Sequence, residues 1–140
     1  MCMYVNECEK TRRLFRGVRC WKVVMYNPFS GKYISPHNGI VRYEVGKVSV
    51  MGRFRKIGVE RDESGDYVVN DGLHTYADLY DARIAADSMN GCLTQSGKYV
   101  GIKFEVMECR IPAFSRFIKG RDLLKRVNYV SDRIKVIKIV

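Results

Sequence analysis

At 140 residues the chain has the length of one ordinary domain. With 46% hydrophobic and 29% charged side chains it has the apolar material to bury a core without a metal or a disulfide. Five cysteines without framework spacing (Cys2, Cys8, Cys20, Cys92, Cys109) argue against a disulfide-stapled secreted scaffold and for a reducing cytoplasm. Charged residues between Glu7 and Arg13 come before any apolar run of signal-peptide length, and no window approaches the roughly 18 apolar residues of a membrane span. The expectation is a soluble cytoplasmic protein with no membrane partner.

The net charge of +10 is unevenly spread. Residues 1–58 carry 12 basic and 3 acidic side chains, residues 59–87 carry 2 and 8, residues 88–109 carry 2 and 2, and residues 110–140 carry 9 and 2. A basic excess at both ends of a chain predicts cationic surfaces that attract anions. Nucleic acid is the commonest such partner; an acidic protein and a merely solubilising surface are the alternatives.

Taken in chain order, residues 1–19 read as a basic N-terminal arm, with Thr11 to Arg16 a short helix or ordered stretch. Cys20 to Tyr26 is rich in aromatic and β-branched residues and predicts a buried strand, ended by the turn Asn27-Pro28-Phe29-Ser30-Gly31. Lys32 to Ile34 is a short return strand, and Ser35 to Gly39 a second turn. Ile40 to Val45, Val48 to Val50 and Arg53 to Val59 are further strand candidates. Glu63 to Asp66 is a loop with Tyr67 to Val69 as its return.

The main helix is predicted at about 76–90. Thr75 serves as N-cap with Asp78 at the third helical position, Leu79, Ala82, Ala86 and Met89 form the buried stripe, and Asn90-Gly91 closes it. Cys92 to Lys98 then reads as a polar loop, and Tyr99 to Ile111 as the longest strand, stopped by Pro112. Residues 113–126 interleave Phe114, Phe117, Ile118, Leu123 and Leu124 with basic residues, and Gly120 argues against one continuous helix. Arg133 to Val140 closes the chain as a strand, with Lys135 and Lys138 protecting an edge. The fold class is α+β: a mixed or mostly antiparallel sheet packed against one main helix, in a single domain over 1–140. Its parts are the arm 1–19, a core 20–112, and a basic segment with the closing strand at 113–140.

Motifs for chemistry are sparse. There is no C-x-x-C or H-x-x-x-H for zinc, no G-x-G-x-x-G and no P-loop, so neither a metal nor another cofactor is expected. Cys20 and Cys109 fall inside strand patterns, where a free cysteine acts as a small buried hydrophobe. His74 and Thr75 stand just before the predicted helix, where backbone amides can form an anion pocket; the competing view is a histidine that satisfies a turn. No catalytic residue is assigned.

The positive signal is the interleaving of cations and rings in Arg53-Phe54-Arg55-Lys56 and in Phe114 to Arg126. Arg53, Arg55, Lys56, Arg116, Lys119, Arg121, Lys125 and Arg126 are the predicted nucleic-acid contacts. Cations neutralise phosphates and exposed rings stack on bases, at roughly 1–3 kcal/mol per base. If the rings point inward instead, only a basic rim is left.

Four segments in this order, Cys20-Trp21-Lys22-Val23-Val24, Arg42-Tyr43-Glu44-Val45-Gly46, Gly72-Leu73-His74-Thr75-Tyr76 with Ala82, and Glu105 to Pro112, resemble small uncharacterised α+β domains encoded by bacteriophages and mobile elements. The resemblance covers residues 20–112 and implies no established activity, so it assigns no functional residue. The expectation is a small, basic, non-enzymatic binding module that contacts nucleic acid. Its rivals are a protein-binding inhibitor or accessory factor of phage or mobile-element origin, and a small enzyme with His74 at an anion pocket.

Overall fold

A computed structural model describes residues 3–5, 12–13, 16–36, 41–51, 57–69, 71–96 and 101–140. In chain order the strands are β1 Met3–Val5, β2 Arg12–Arg13, β3 Val18–Asn27, β4 Lys32–Ile34, β5 Arg42–Tyr43, β6 Val48–Val50, β7 Val59–Arg61, β8 Tyr67–Val69 and β9 Leu73–Tyr76. The helix α1 spans Leu79–Ser96, and β10 Lys103–Ile111, β11 Arg116–Arg121, β12 Val127–Ser131 and β13 Arg133–Ile139 follow. Every pairing among the described residues is antiparallel. The sheet runs β6-β13-β10-β3-β9-β12-β11-β1-β8-β7, with β2 beside β11 and the pair β4–β5 hanging from β3.

Two strands set the frame. β3 and β10 pair along their lengths, from Lys103 opposite Tyr26 to Ile111 opposite Val18. Alternation then divides each between two faces. Cys20 and Val24 join Met107, Cys109 and Ile111 in the largest buried cluster, with Tyr43, Leu73, Ile134 and Val136. Arg19, Trp21 and Val23 point the other way, together with Val106, Glu108 and Arg110. The sheet bends round the buried cluster, because Ser49 in β6, at one end of the strand order, donates its hydroxyl to the Arg42 carbonyl in β5 at 2.9 Å.

On the outer face, Ala82, Ala85 and Ala86 of α1 share a buried cluster with Val23, Tyr76 and Val106. Asn90 ties the helix to β10: its amide donates to the Phe104 carbonyl at 2.9 Å and accepts from the Phe104 N–H at 2.7 Å. A third cluster, Met3, Val5, Val69, Ile118 and Val130, holds the far end of the sheet.

The helix differs from expectation at both ends. Thr75 and Tyr76 belong to β9, paired with Tyr129 and Asn128, so Thr75 is not the cap. Asp78 caps instead, its Oδ1 accepting the Tyr80 and Asp81 amides at 2.8 and 3.3 Å. Asn90-Gly91 does not end the helix, which runs to Ser96 and so takes in most of the predicted loop. The Asn90 side chain is committed to Phe104, and Gly91 is an exposed helical position with open space around it.

The chain ends hold four strands that the pattern does not announce, β1, β2, β11 and β12. β1 and β2 turn the N-terminal arm into sheet, where a short helix was one expectation for Thr11 to Arg16, and β12 follows a tight turn after β11. Gly120 explains where β1 sits: a Cβ there would stand 2.5 Å from the Tyr4 carbonyl oxygen and 2.8 Å from Met3 Cγ. The proposed strand from Arg53 lies mostly outside the described residues, and β7 begins at Val59. Among the described residues no helix is long and apolar enough to cross a membrane.

Candidate functional site

The predicted basic segment 116–126 forms a hairpin, and its alternation sorts the cations. Along β11, Phe117, Lys119 and Arg121 share one face, while Arg116 shares the other with Ile118 and Gly120. The turn at 122–126 is held by Asp122, whose Oδ1 accepts the Leu124 and Arg126 amides at 3.0 Å each. Lys125 takes a left-handed φ of 61° to complete that turn. Arg126 is consumed by structure: its Nε lies 2.6 Å from Asp122 Oδ2 and its guanidinium 5.3 Å from the Tyr76 ring centre.

Lys119, Arg121 and Lys125 are therefore brought together, and they line a groove of about 740 Å³ with Tyr4. Arg121 also donates to the Lys125 backbone carbonyl at 2.8 Å, which orients its guanidinium. Across the groove stand Asp62, Ser64 and Asp66. Asp62 accepts the Ser64 and Asp66 amides and the Ser64 hydroxyl, so hydrogen bonding to Ser64 first of all holds its carboxyl below the usual range. The groove has one basic wall and one acidic wall. Backbone pairing adds Arg12 and Arg13 of β2 opposite Phe117 and Arg116. Arg53, Arg55 and Lys56 lie outside the described residues.

His74 and Thr75 are interior strand residues, 7% and 0% exposed, and do not line that groove. Thr75 Oγ1 is 3.5 Å from the Tyr129 carbonyl, and the His74 carbonyl accepts a hydrogen bond from Lys22 Nζ at 2.7 Å. The helix N-terminus lies at Leu79, so these two residues do not build an anion pocket on it.

Lys22 is the unexpected group. It is 4% exposed on the inward face of β3, between Cys20 and Val24, with Nζ 5.6 Å from the Tyr43 ring centre. Burial pushes its ammonium down to about 8. Burial also pushes the Cys20 thiol up to about 11 and the Cys109 thiol higher still, so both stay neutral at pH 7 and give the ammonium no counter-charge. Cys20 and Cys109 are as enclosed as Lys22, each 0% exposed. Among the described residues no group of three or more His, Cys, Asp and Glu side chains could hold a metal.

The charged feature that sequence reasoning missed lies on the outer face of the three central strands. Arg110 of β10 stands opposite Arg19 of β3 on one side and opposite Lys135 of β13 on the other. One row along, Glu108 stands between Trp21 and Lys138. Arg19, Arg110, Lys135 and Lys138 are all exposed. Glu108 serves two of them, at 2.8 Å from Arg19 Nε and 3.6 Å from Lys138 Nζ. The Arg19 hydrogen bond is the main reason its carboxyl sits below the usual range. Among the described residues Arg110 and Lys135 have no acidic partner.

Like charges directly opposite one another across a ladder destabilise a sheet, by roughly 0.2–1 kcal/mol per pair. Beside the row, the Arg19 guanidinium lies 5.2 Å from the centre of the half-buried Trp21 ring. The signal for this site was the alternation in β3, β10 and β13, but joining the three rows required their register. The chain matches no family model, no curated protein and no solved structure.

Proposed function

We propose that this protein is a non-enzymatic module that binds the sugar–phosphate backbone of nucleic acid on the outer face of β3, β10 and β13. The observation that carries this reading is the cross-strand row Arg19–Arg110–Lys135. Three cations are held side by side on rigid strands at a local electrostatic cost, with one carboxylate nearby. Neutralising phosphates there relieves the repulsion and releases condensed counterions, which is the main source of sequence-independent affinity. The Arg19–Trp21 pair offers a cation and a ring for an unstacked base. Lys119, Arg121 and Lys125 form a second cationic wall, weakened by the carboxylates facing it.

The test is fluorescence anisotropy with labelled single- and double-stranded oligonucleotides at about 50 and 200 mM salt, with heparin as competitor. Four phosphate contacts on a single strand give a log–log salt slope of roughly −3, or a loss on the order of fifty-fold over that range. The Arg110→Glu/Lys135→Glu double variant is expected to flatten the slope and weaken binding at least tenfold. Binding that the double variant leaves intact would remove this face from the reading. No saturable binding at low salt, or no preference over heparin, would remove nucleic acid.

A further inference from the structure

Between α1 and the 122–126 turn lies a second concavity, about 420 Å³, with an apolar lining supplied by Ile84, Ala85, Met89, Leu123 and Leu124. Its end wall is the Asp122–Arg126 ion pair stacked on Tyr76. Leu123 and Leu124 are 78% and 71% exposed, an unusual exposure for two consecutive leucines on a turn otherwise fixed by Asp122. This pocket adjoins the basic groove, since Asp122 and Leu123 line both. One side of the turn thus offers Lys119, Arg121 and Lys125 to a polyanion, and the other offers an apolar slot.

We infer that the slot receives an unstacked base of a single nucleic-acid strand whose phosphates run along the Lys119–Arg121–Lys125 wall. The inference rests on the nucleic-acid reading above and deepens it from backbone binding to single-strand recognition. A base has two apolar faces and a polar edge. Such a shape suits apolar walls whose lining also includes a hydroxyl, that of Ser88, for the edge. The volume of about 420 Å³ is ample for a single base. A duplex keeps its bases out of reach, so it engages only the cations.

The experiment compares three probes on the full chain at about 50 mM salt: a single-stranded 12-mer, the same sequence as a duplex, and a single strand of equal length made of abasic sites. All three carry phosphates, and only the first offers free bases. The expected result is that the ordinary single strand binds at least tenfold more tightly than the abasic strand. Ile84→Ser/Leu124→Ser, two exposed positions that line the slot and not the basic groove, is expected to bring single-strand affinity down to the abasic level while leaving abasic affinity unchanged. Equal affinity for abasic and ordinary strands, or a ratio unmoved by the double variant, overturns the base slot and leaves the backbone reading standing. Failure of all three probes to bind overturns both.

Discussion

The buried lysine gives the sharpest quantitative test of how this core is built. Lys22 sits among Cys20, Val24, Tyr43 and Cys109 and donates to the His74 carbonyl, and burial lowers its ammonium from the ordinary 10.5 to about 8. The folded chain therefore releases this proton about 2.5 pH units before the unfolded chain does. At about 1.36 kcal/mol per unit, holding the charged lysine in the fold costs about 3 kcal/mol at neutral pH. Between pH 8 and 10.5 the unfolded chain binds more of this proton than the folded chain, so the lysine's contribution makes stability rise with pH in that window. Above 10.5 both states are neutral and the cost is gone.

Lys22→Met removes the charge and keeps the length, and it forfeits the bond to the His74 carbonyl, worth about 1 kcal/mol. The variant is expected to be about 2 kcal/mol more stable than the parent at pH 7 and about 0.5 kcal/mol less stable at pH 10.5. The measurement is urea denaturation of both chains, with reductant, at half-unit steps across that range. The thiols and tyrosines raised by burial titrate in both chains and largely cancel in the difference, since Lys22 acts on the Cys20 and Cys109 thiols only behind burial. A difference that stays flat with pH, or a variant advantage that grows as pH rises, would refute the placement of a charged Lys22 inside the sheet.

Asp78→Ala is expected to lower stability by about 1 kcal/mol and Asp78→Ser by much less, because the Tyr80 and Asp81 amides need a side-chain acceptor; urea midpoints of the two variants decide it, and equal effects would count against the cap. Gly72→Ala is expected to cost at least about 2 kcal/mol, since Gly72 has a φ of 129° and a Cβ there would lie 2.2 Å from Val130 Cγ1. Its thermal midpoint should fall by well over what a surface alanine produces. Lys135→Gln is expected to raise stability by about 0.2–1 kcal/mol at low salt, with the gain fading near 1 M salt as the Arg110 repulsion is screened.

Sequence reading succeeded where periodicity and turn chemistry agreed. Cys20 to Tyr26, Lys32 to Ile34, Val48 to Val50, Tyr67 to Val69 and the stripe Ala82–Ala86 all lie in the elements expected of them. It failed where a tertiary partner overrides a local signal. Thr75 has the chemistry of a cap, yet β12 recruits it as a strand residue. Asn90-Gly91 has the chemistry of a stop, yet Asn90 spends its side chain on Phe104. Residues 113–126 show no clean period because β11 buries only its middle and faces solvent on both sides elsewhere. The hairpin cations were legible as a run, but their division between two faces, and the loss of Arg126 to Asp122, required the backbone. The Arg19–Arg110–Lys135 row joins positions far apart in the chain, so no window of sequence contains it.

The two faces of the same three strands explain why that row is placed where it is. β3 alternates Cys20, Lys22 and Val24 inward with Arg19 and Trp21 outward, and β10 alternates Met107, Cys109 and Ile111 inward with Glu108 and Arg110 outward. The register that closes the core is thus the register that aligns the cations, and a one-residue slip would destroy both. Under the proposed nucleic-acid reading, a site placed this way inherits the stiffness of the core but must tolerate local repulsion, which a loop could relax by moving. A substitution that calms the row should therefore act in opposite directions on two readouts. Lys135→Gln raises the unfolding midpoint at low salt and weakens oligonucleotide binding, and a bound oligonucleotide raises the parent's midpoint more than the variant's. A purely solubilising surface would show the first of these effects without the other two.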